Sequence, residues 1–157
     1  MEKLWAPWRS TYLAAKKQKG CIFCLKKKHR KNDYIIFETT HTRAMLNLYP
    51  YNNGHLMIAP RRHVKDFKQL KDVEVLDFFR ALVRAQELLT KVLKPHGFNV
   101  GFNISRVAGA GIASHMHLHV VPRWNGDTNF MPLLSNTKVI SQSLDELYTK
   151  LKDAESE

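Results

Sequence analysis

The sequence has no apolar run long enough to cross a membrane, since a spanning helix needs roughly 18 or more consecutive apolar residues. Its opening residues 1–7 lack the apolar stretch of a secretory signal. No internal repeat and no low-complexity linker divides the chain. We therefore expect a soluble cytoplasmic protein without a membrane partner, in which residues 1–157 form a single domain.

Acidic residues are scarce relative to basic ones. The chain has 14 Asp and Glu against 25 Lys and Arg, which gives a formal net charge of +11 at pH 7. Such a charge favours anionic partners, whether nucleic acid, an acidic membrane or small phosphorylated substrates, and it does not choose among them. The densest basic segment, residues 26–31, is typical of a solvated loop.

Cysteine is also rare, with only Cys21 and Cys24 in the chain, spaced C-x-x-C. In a reducing compartment this spacing favours a metal or redox pair over a structural disulfide. Two cysteines do not complete a zinc site by themselves. The pair therefore either has further ligands elsewhere in the chain or consists of free thiols.

Short β-type runs bounded by turn residues predict five strands. The predicted strands are residues 34–38, 44–48, 55–60, 98–105 and 116–121. The turn-rich segment 49–54 indicates a hairpin between the second and third strands. We expect a loop at residues 108–111 and an end to the last strand at Pro122.

Helical periodicity predicts one long amphipathic helix from about Leu70 to Leu93, ended by Pro95 and Gly97. The residues predicted to face the core are Val73, Leu76, Phe79, Leu82, Val83, Leu89, Val92 and Leu93. A second helix over 143–152 would turn Leu144, Leu147, Tyr148 and Leu151 inward. Together these elements predict an α+β fold in which the long helix covers an antiparallel sheet.

Three histidines alternate with apolar residues along the last predicted strand. Because successive side chains of a strand point to opposite faces, His115, His117 and His119 share one face. Three imidazoles beside a buried apolar face are costly unless they have a function. They could chelate a catalytic zinc ion, or one could attack phosphorus as a nucleophile while its neighbours fix its tautomer.

A glycine-containing segment precedes these histidines. Gly109 and Gly111 would let the backbone approach a ligand closely and present N–H groups to phosphate oxygens. Taken alone, this pattern is more typical of an ordinary turn. Beside three histidines on a basic protein, it favours phosphate binding.

These residues resemble a known family. The segment 115–121 fits the histidine-triad (HIT) pattern, in which three histidines alternate with apolar residues, and the Gly-His segment 54–60 resembles the second block of that superfamily. The segments 5–9 and 126–132 are similar to the bacterial branch related to diadenosine tetraphosphate phosphorylases. The resemblance extends from about Trp5 to Tyr148 and implies a HIT-like fold, an antiparallel sheet with one long helix and a C-terminal helix.

The resemblance also implies an activity, the cleavage of dinucleoside polyphosphates through a nucleotidyl-histidine intermediate. His117, the middle histidine, would be the nucleophile that attacks the α-phosphorus, and His119 and His55 would orient the phosphate. Asn47 would bind ribose, and Asn103 is a further candidate for nucleotide contact. A homodimer is implied as well.

Family members that carry C-x-x-C combine it with two histidines in a structural zinc site. By resemblance the four ligands here are Cys21, Cys24, His63 and His115. His115 would then be a structural ligand two residues from the nucleophile. The separation of Cys24 from His63 is unlike a zinc finger, so a nucleic-acid partner is not expected.

The loop departs from the family pattern, because the glutamine that usually follows its last glycine is absent and only Ser114 offers a hydroxyl group. The contacts to the leaving group are therefore left open, and the residues do not choose between water and orthophosphate as the acceptor. Three alternatives also stay open: an adenylate phosphoramidate hydrolase, a nucleotide- or nucleic-acid-binding regulatory module, and a zinc hydrolase with the metal on all three triad histidines. His29, His41 and His96 receive no role.

Overall fold

The computed structural model describes residues 20–24, 33–127 and 140–156. The strands within these residues are β1 (Ile35–Glu38), β2 (Thr42–Leu46), β3 (Leu56–Pro60), β4 (Gly97–Phe102) and β5 (Leu118–Arg123). The helices are α1 (Asp72–Leu93), α2 (Leu144–Ser156) and a 3-10 turn (Phe67–Gln69). Segments 5–9, 26–31 and 128–132, which figured in the sequence analysis, lie outside the described residues. None of the described helices has the length and apolar composition needed to cross a membrane.

The described strands form one sheet in the order β1-β2-β3-β5-β4, and every neighbouring pair is antiparallel. The predicted hairpin is confirmed: β2 and β3 pair in register from Thr42 opposite Pro60 to Leu46 opposite Leu56. This sheet and the two helices confirm the α+β prediction.

The last strand was predicted wrongly at both ends. It begins at Leu118 rather than at position 116, and it continues through Pro122 to Arg123. The N–H and C=O of a strand residue point to the same side, and the carbonyl of Pro122 accepts a hydrogen bond from Asn52 rather than from a strand. Because β3 pairs with β5 only as far as Val120, the missing N–H of Pro122 breaks no ladder bond.

The main core lies between the sheet and the two helices. The largest fully buried side chains on this side are Ile36, Leu46, Leu56, Ile58, Leu89, Val120, Leu147 and Leu151. The predicted inward face of α2 is confirmed, because Leu147 and Leu151 are buried and Leu144 and Tyr148 pack against the same cluster. The helices therefore cover one face of the sheet, and the opposite face is left for the histidines.

The predicted inward face of α1 is wrong in its first half. Val73, Leu76, Phe79 and Val83 are 53–60% exposed, whereas Phe78, Ala81 and Ala85 are buried. The helix has apolar residues on more than one face, and small alanine side chains let its backbone approach the sheet closely. The second half follows the prediction, with Leu89 buried and Val92 and Leu93 packed against the core.

Gly54, at the end of the hairpin turn, lies against the end of α1 with φ of +73°. A Cβ at this position would lie 2.5 Å from Cδ1 of Leu93 and 3.0 Å from Cγ of Pro122. We expect Gly54→Ala to lower the free energy of unfolding by about 2 kcal/mol, because it combines overpacking with a left-handed backbone. Urea unfolding would measure this loss. Gly101→Ala is the control, since a Cβ there meets no atom within 4 Å, and equal stability of the two variants would contradict the prediction.

Candidate active site and metal centre

His117 lies on the face of the sheet opposite α1, with its side chain buried. Its Nδ1 lies 3.0 Å from the carbonyl oxygen of His115. Because a carbonyl only accepts, Nδ1 must carry the proton, and Nε2 of the neutral ring keeps its lone pair. Among the described residues Nε2 has no hydrogen-bond partner, and His117 lines a pocket together with Asn103, Ser105 and Ala113. The middle histidine thus has the tautomer of a nucleophile.

His55 and His119 form a hydrogen-bonded pair beside this pocket. The N–H of Tyr51 donates to Nδ1 of His55 over 3.0 Å, and the side-chain amide of Asn47 lies 3.3 Å from the same atom. Nδ1 of His55 is therefore the acceptor, so its Nε2 donates to Nδ1 of His119 over 2.9 Å. This fixes the tautomer of His119, whose Nε2 carries the proton and lies 3.3 Å from the side-chain nitrogen of Asn103. Two donors cannot bond each other, so the Asn103 amide accepts from His119 only when it is turned to present its oxygen.

Tyr51 covers the histidine pair on its solvent side. Its ring centroid lies 4.7 Å from that of His55 and 5.7 Å from that of His119. The sequence analysis missed this residue, and its place in a predicted turn gave no signal that its ring would stack on imidazoles. Its contacts hold both rings in place.

Burial keeps these imidazoles neutral. It lowers the pKa of His117. Burial also lowers the pKa of His119 to about 4, with a smaller contribution from the neighbouring His117 ring. A neutral ring is the form that can attack phosphorus or donate from a fixed nitrogen. At neutral pH both rings are therefore in the uncharged form that attack on phosphorus or donation from a fixed nitrogen requires.

The depressed pKa of His119 makes folding pH-dependent. Between the unfolded value of 6.5 and the folded value of about 4, the unfolded chain binds a proton that the folded chain does not. The stabilisation is fully present above the unfolded value and is lost as the pH falls through this window. Urea unfolding measures the free energy of unfolding as the pH decreases from 6.5 to about 4, and we expect this free energy to fall less steeply for His119→Asn than for the wild type. A slope in His119→Asn equal to that of the wild type would contradict the prediction.

The two cysteines lie beside the remaining predicted ligands. The ligand atoms of Cys21, Cys24, His63 and His115 all lie within 4.8 Å of one another, close enough to bind a metal ion. Sγ of Cys24 is 3.0 Å from Nδ1 of His63 and 3.4 Å from Nδ1 of His115, and Sγ of Cys21 is 3.2 Å from the latter atom. The structure thus brings together all four residues that the resemblance implied.

The chemistry of these four groups fits a metal ion. His115 is fully buried and its Nε2 lies 2.8 Å from the carbonyl oxygen of Pro60, so Nε2 carries the proton and the lone pair of Nδ1 faces both sulfurs. Ligand atoms of a tetrahedral site with Zn–S of about 2.3 Å and Zn–N of about 2.0 Å lie roughly 3.5 Å apart. Burial and the adjacent Cys21 raise the pKa of the Cys24 thiol to about 11, so a cation is needed to hold the Cys24 sulfur as a thiolate at neutral pH.

The three triad histidines do not converge on one point. Nδ1 of His115 faces the cysteines, Nδ1 of His117 faces a carbonyl group, and His119 is bonded to His55. Within residues 20–24, 33–127 and 140–156, the only group of three or more potential ligands that could hold a metal is the cluster of two cysteines and two histidines. This geometry does not support the alternative of one zinc ion on all three.

Only part of the loop before the triad lines the pocket, and the predicted site residues Gly109, Gly111 and Ser114 are not among the lining residues. Gly109 has φ of +94°, a conformation that favours glycine, and Gly111 and Ser114 are exposed. The residues of this region that line the pocket are Asn103, Ile104, Ser105, Ile112 and Ala113. Ser105 is thus a pocket hydroxyl that the sequence analysis did not single out.

Two further residues beside the site were missed. Arg43, on β2, is 4% exposed and bonded to Glu38 over 2.6 Å, and its guanidinium donates to the carbonyl of Phe23 over 2.9 Å. Phe23 lies between the two cysteines and is 1% exposed. Arg43 belongs to no motif and Phe23 occupies a variable position of C-x-x-C, so only the fold shows that both lie near the histidines.

Comparisons with known proteins identify the family of this chain. The family model of the HIT domain matches residues 28–126. The AP-4-A phosphorylase of Mycobacterium tuberculosis is 36% identical over 154 residues, which cover 92% of this chain and 79% of that protein.

Solved structures share the fold. A histidine triad nucleotide-binding protein from Sulfolobus tokodaii superposes with a TM-score of 0.67 at 21% identity, over 87% of this chain and 92% of that one. A Zn-bound histidine triad family protein from Mycobacterium smegmatis gives 0.63 at 24% identity, over 80% and 87%. The chain therefore belongs to the HIT domain family, in the branch of the AP-4-A phosphorylases.

Proposed function

We propose that this protein cleaves dinucleoside polyphosphates of the diadenosine tetraphosphate type through a nucleotidyl intermediate on His117. Within its family the chain is a nucleotide-processing enzyme of the HIT type. The observation that carries the proposal is the state of His117, a buried ring that lines a pocket. Its Nδ1–H is held by a carbonyl group, and its Nε2 has no hydrogen-bond partner among the described residues. Similarity to an AP-4-A phosphorylase supports the substrate class.

In the first step Nε2 of His117 attacks the α-phosphorus and forms a P–N bond. The bond from that phosphorus to the bridging oxygen breaks, and its electron pair leaves with the nucleoside triphosphate. The ring becomes an imidazolium, and the carbonyl of His115 on Nδ1–H stabilises the new charge.

In the second step an oxygen of water or orthophosphate attacks the same phosphorus. The P–N bond breaks, its electron pair returns to Nε2, and the attacking oxygen loses its proton to solvent. Water gives AMP, and orthophosphate gives ADP. Splitting the exchange into two displacements lets each attack occur in line at a fixed nitrogen.

The neighbouring groups would hold the phosphoryl oxygens and the sugar. Nε2–H of His119 is a donor of fixed direction, because His55 occupies its Nδ1. We propose that His119 donates to a non-bridging oxygen, that His55 sets its orientation, and that Asn103 completes this edge of the pocket. Gly109, Gly111 and Ser114, in the loop that also carries the lining residues Ile112 and Ala113, are proposed to contact the phosphates, and Asn47 the ribose.

We propose that the metal centre binds Zn²⁺ through Cys21, Cys24, His63 and His115. A ligand set of two cysteines and two histidines is typical of closed structural zinc sites, and the Zn-bound relative supports the assignment. Bound zinc would keep both sulfurs as thiolates and tie the segment 20–24 to the segment before β5 that carries His115 and His117. It would supply stability rather than take part in either displacement.

We also propose that the whole chain is one domain and that it forms a homodimer. Val73, Leu76, Phe79 and Val83 form an exposed apolar stripe on α1, a feature typical of a surface that is covered by a partner. Phe79→Glu should shift the protein towards the monomer in sedimentation velocity experiments, and an unchanged mass would count against this interface.

Product analysis tests the activity directly. Incubation with diadenosine tetraphosphate labelled at the α-phosphorus should yield AMP and ATP by hydrolysis, or ADP and ATP when orthophosphate is the acceptor. Acid quenching should be avoided because P–N bonds are labile, so the trapped adenylate is located by mass spectrometry at neutral or alkaline pH. Absence of turnover on this substrate and on an adenylate phosphoramidate would refute the proposed function.

A further inference from the structure

The C-x-x-C segment forms a tight turn that buries one of its side chains inside the protein. The N–H of Cys24 donates to the carbonyl of Cys21 over 3.0 Å, which closes the turn over Ile22 and Phe23. Ile22 is half-buried, whereas Phe23 is 1% exposed. The turn that carries the metal ligands therefore also inserts an aromatic ring into the protein.

The Phe23 ring lies against the catalytic histidine. Its centroid is 4.8 Å from that of His117, with 30° between the ring planes, and 5.3 Å from that of His115 at 63°. Met45 and Met57 belong to the apolar cluster around Phe23. His119 lies 5.0 Å from His117 in an edge orientation, so two different rings contact the imidazole.

Arg43 fixes the backbone that carries this ring. Its Nη1 donates to the carbonyl of Phe23 over 2.9 Å, while Nε and Nη2 donate to Glu38 over 2.7 and 2.6 Å. The guanidinium is almost fully buried and has a carboxylate partner, so its position is well determined. Phe23 is thus held by the turn between the cysteines and by a residue of the sheet.

We propose that Phe23 is a positioning residue for His117, an inference that rests on the proposed function. The hydrogen bond from Nδ1 restrains one edge of the imidazole but leaves tilting about that bond open. The Phe23 ring blocks this tilt on one face and keeps Nε2 aimed into the pocket. The turn between the cysteines therefore contributes a side chain that packs against the catalytic histidine, as well as two metal ligands.

Phe23→Leu in the zinc-loaded protein tests this role, because it keeps apolar volume and removes the flat ring. We expect kcat and the single-turnover rate of adenylation to fall about tenfold or more, with KM for the nucleotide changed less than about twofold, since misaligned attack slows chemistry more than binding. The carbon-bound protons of His117 should also lose the ring-current shift imposed by Phe23 in NMR spectra. Ile22→Ala, in the same turn, is the matched control and should change neither readout.

Several outcomes would overturn the proposal. Unchanged kcat in Phe23→Leu at full zinc content would do so, and so would a rise in KM alone, which would make Phe23 part of the nucleotide pocket. If Phe23→Leu loses zinc, Arg43→Lys provides the second test, since it releases the Phe23 carbonyl without altering a ligand. That variant should lower kcat and alter the His117 ring-current shift, and wild-type values for both would refute the proposal. Failure of the proposed function is distinguishable, because the wild-type protein would then form no adenylate.

Discussion

His117→Gly is expected to lower the turnover of diadenosine tetraphosphate by a factor of about 10⁴ or more, because the nucleophile of both displacements is lost. No described neighbour can replace it. Nδ1 of His115 faces the cysteines, and the nitrogens of His119 are directed to His55 and Asn103. The loss should appear in kcat, since groups that bind the phosphate and sugar remain.

The measurement is steady-state turnover together with adenylate trapping by mass spectrometry. His96→Gly is the control, because His96 is an exposed histidine that lies in neither the pocket nor the metal cluster. It should keep wild-type turnover and a labelled His117. Full activity of His117→Gly, or a label on another residue, would show that the covalent step does not occur at this ring.

Cys21→Ser, or removal of the metal by a chelator, is expected to lower the free energy of unfolding by about 3 kcal/mol or more. The cluster joins three separate segments, residues 20–24, residue 63 and residue 115. Without a cation these segments lose their common attachment, and buried polar groups of the cluster are left poorly satisfied. Thermal unfolding and metal content per chain, measured on the same samples, test this expectation.

The relation between metal content, stability and activity distinguishes a structural metal ion from a catalytic one. With a structural ion, stability falls with metal content, and activity follows the loss of structure. His96→Ala controls for the removal of a histidine and should leave metal content and melting temperature unchanged. If a chelator abolished activity reversibly at an unchanged melting temperature, the ion would have a catalytic role instead.

Several elements could be predicted because their signals are local. The β2–β3 hairpin follows from apolar runs separated by turn residues, and the end of α1 follows from Pro95 and Gly97. The end of β5 could not be predicted from a local signal of this kind. Whether Pro122 stops a strand depends on which neighbour lies beside it, and β3 has already ended there.

The inward face of α1 shows the same limit. Helical spacing alone identified Val73, Leu76 and Phe79, which are exposed, because the first half of this helix has apolar residues on two faces. Ala81 and Ala85 face the sheet instead, since small side chains allow close packing. A single sequence does not show which of two apolar stripes meets the sheet.

By itself the sequence determined the alternating histidines and the C-x-x-C pair, and through its resemblance to the HIT family it implied the division of work among the histidines. Tertiary structure alone showed the contacts that would support this division. Carbonyl groups fix the tautomers of His115 and His117, so that one ring faces the cysteines and the other keeps Nε2 for attack. The contact between Phe23 and His117 likewise joins residues 94 positions apart, and only folding of the chain brings such residues together.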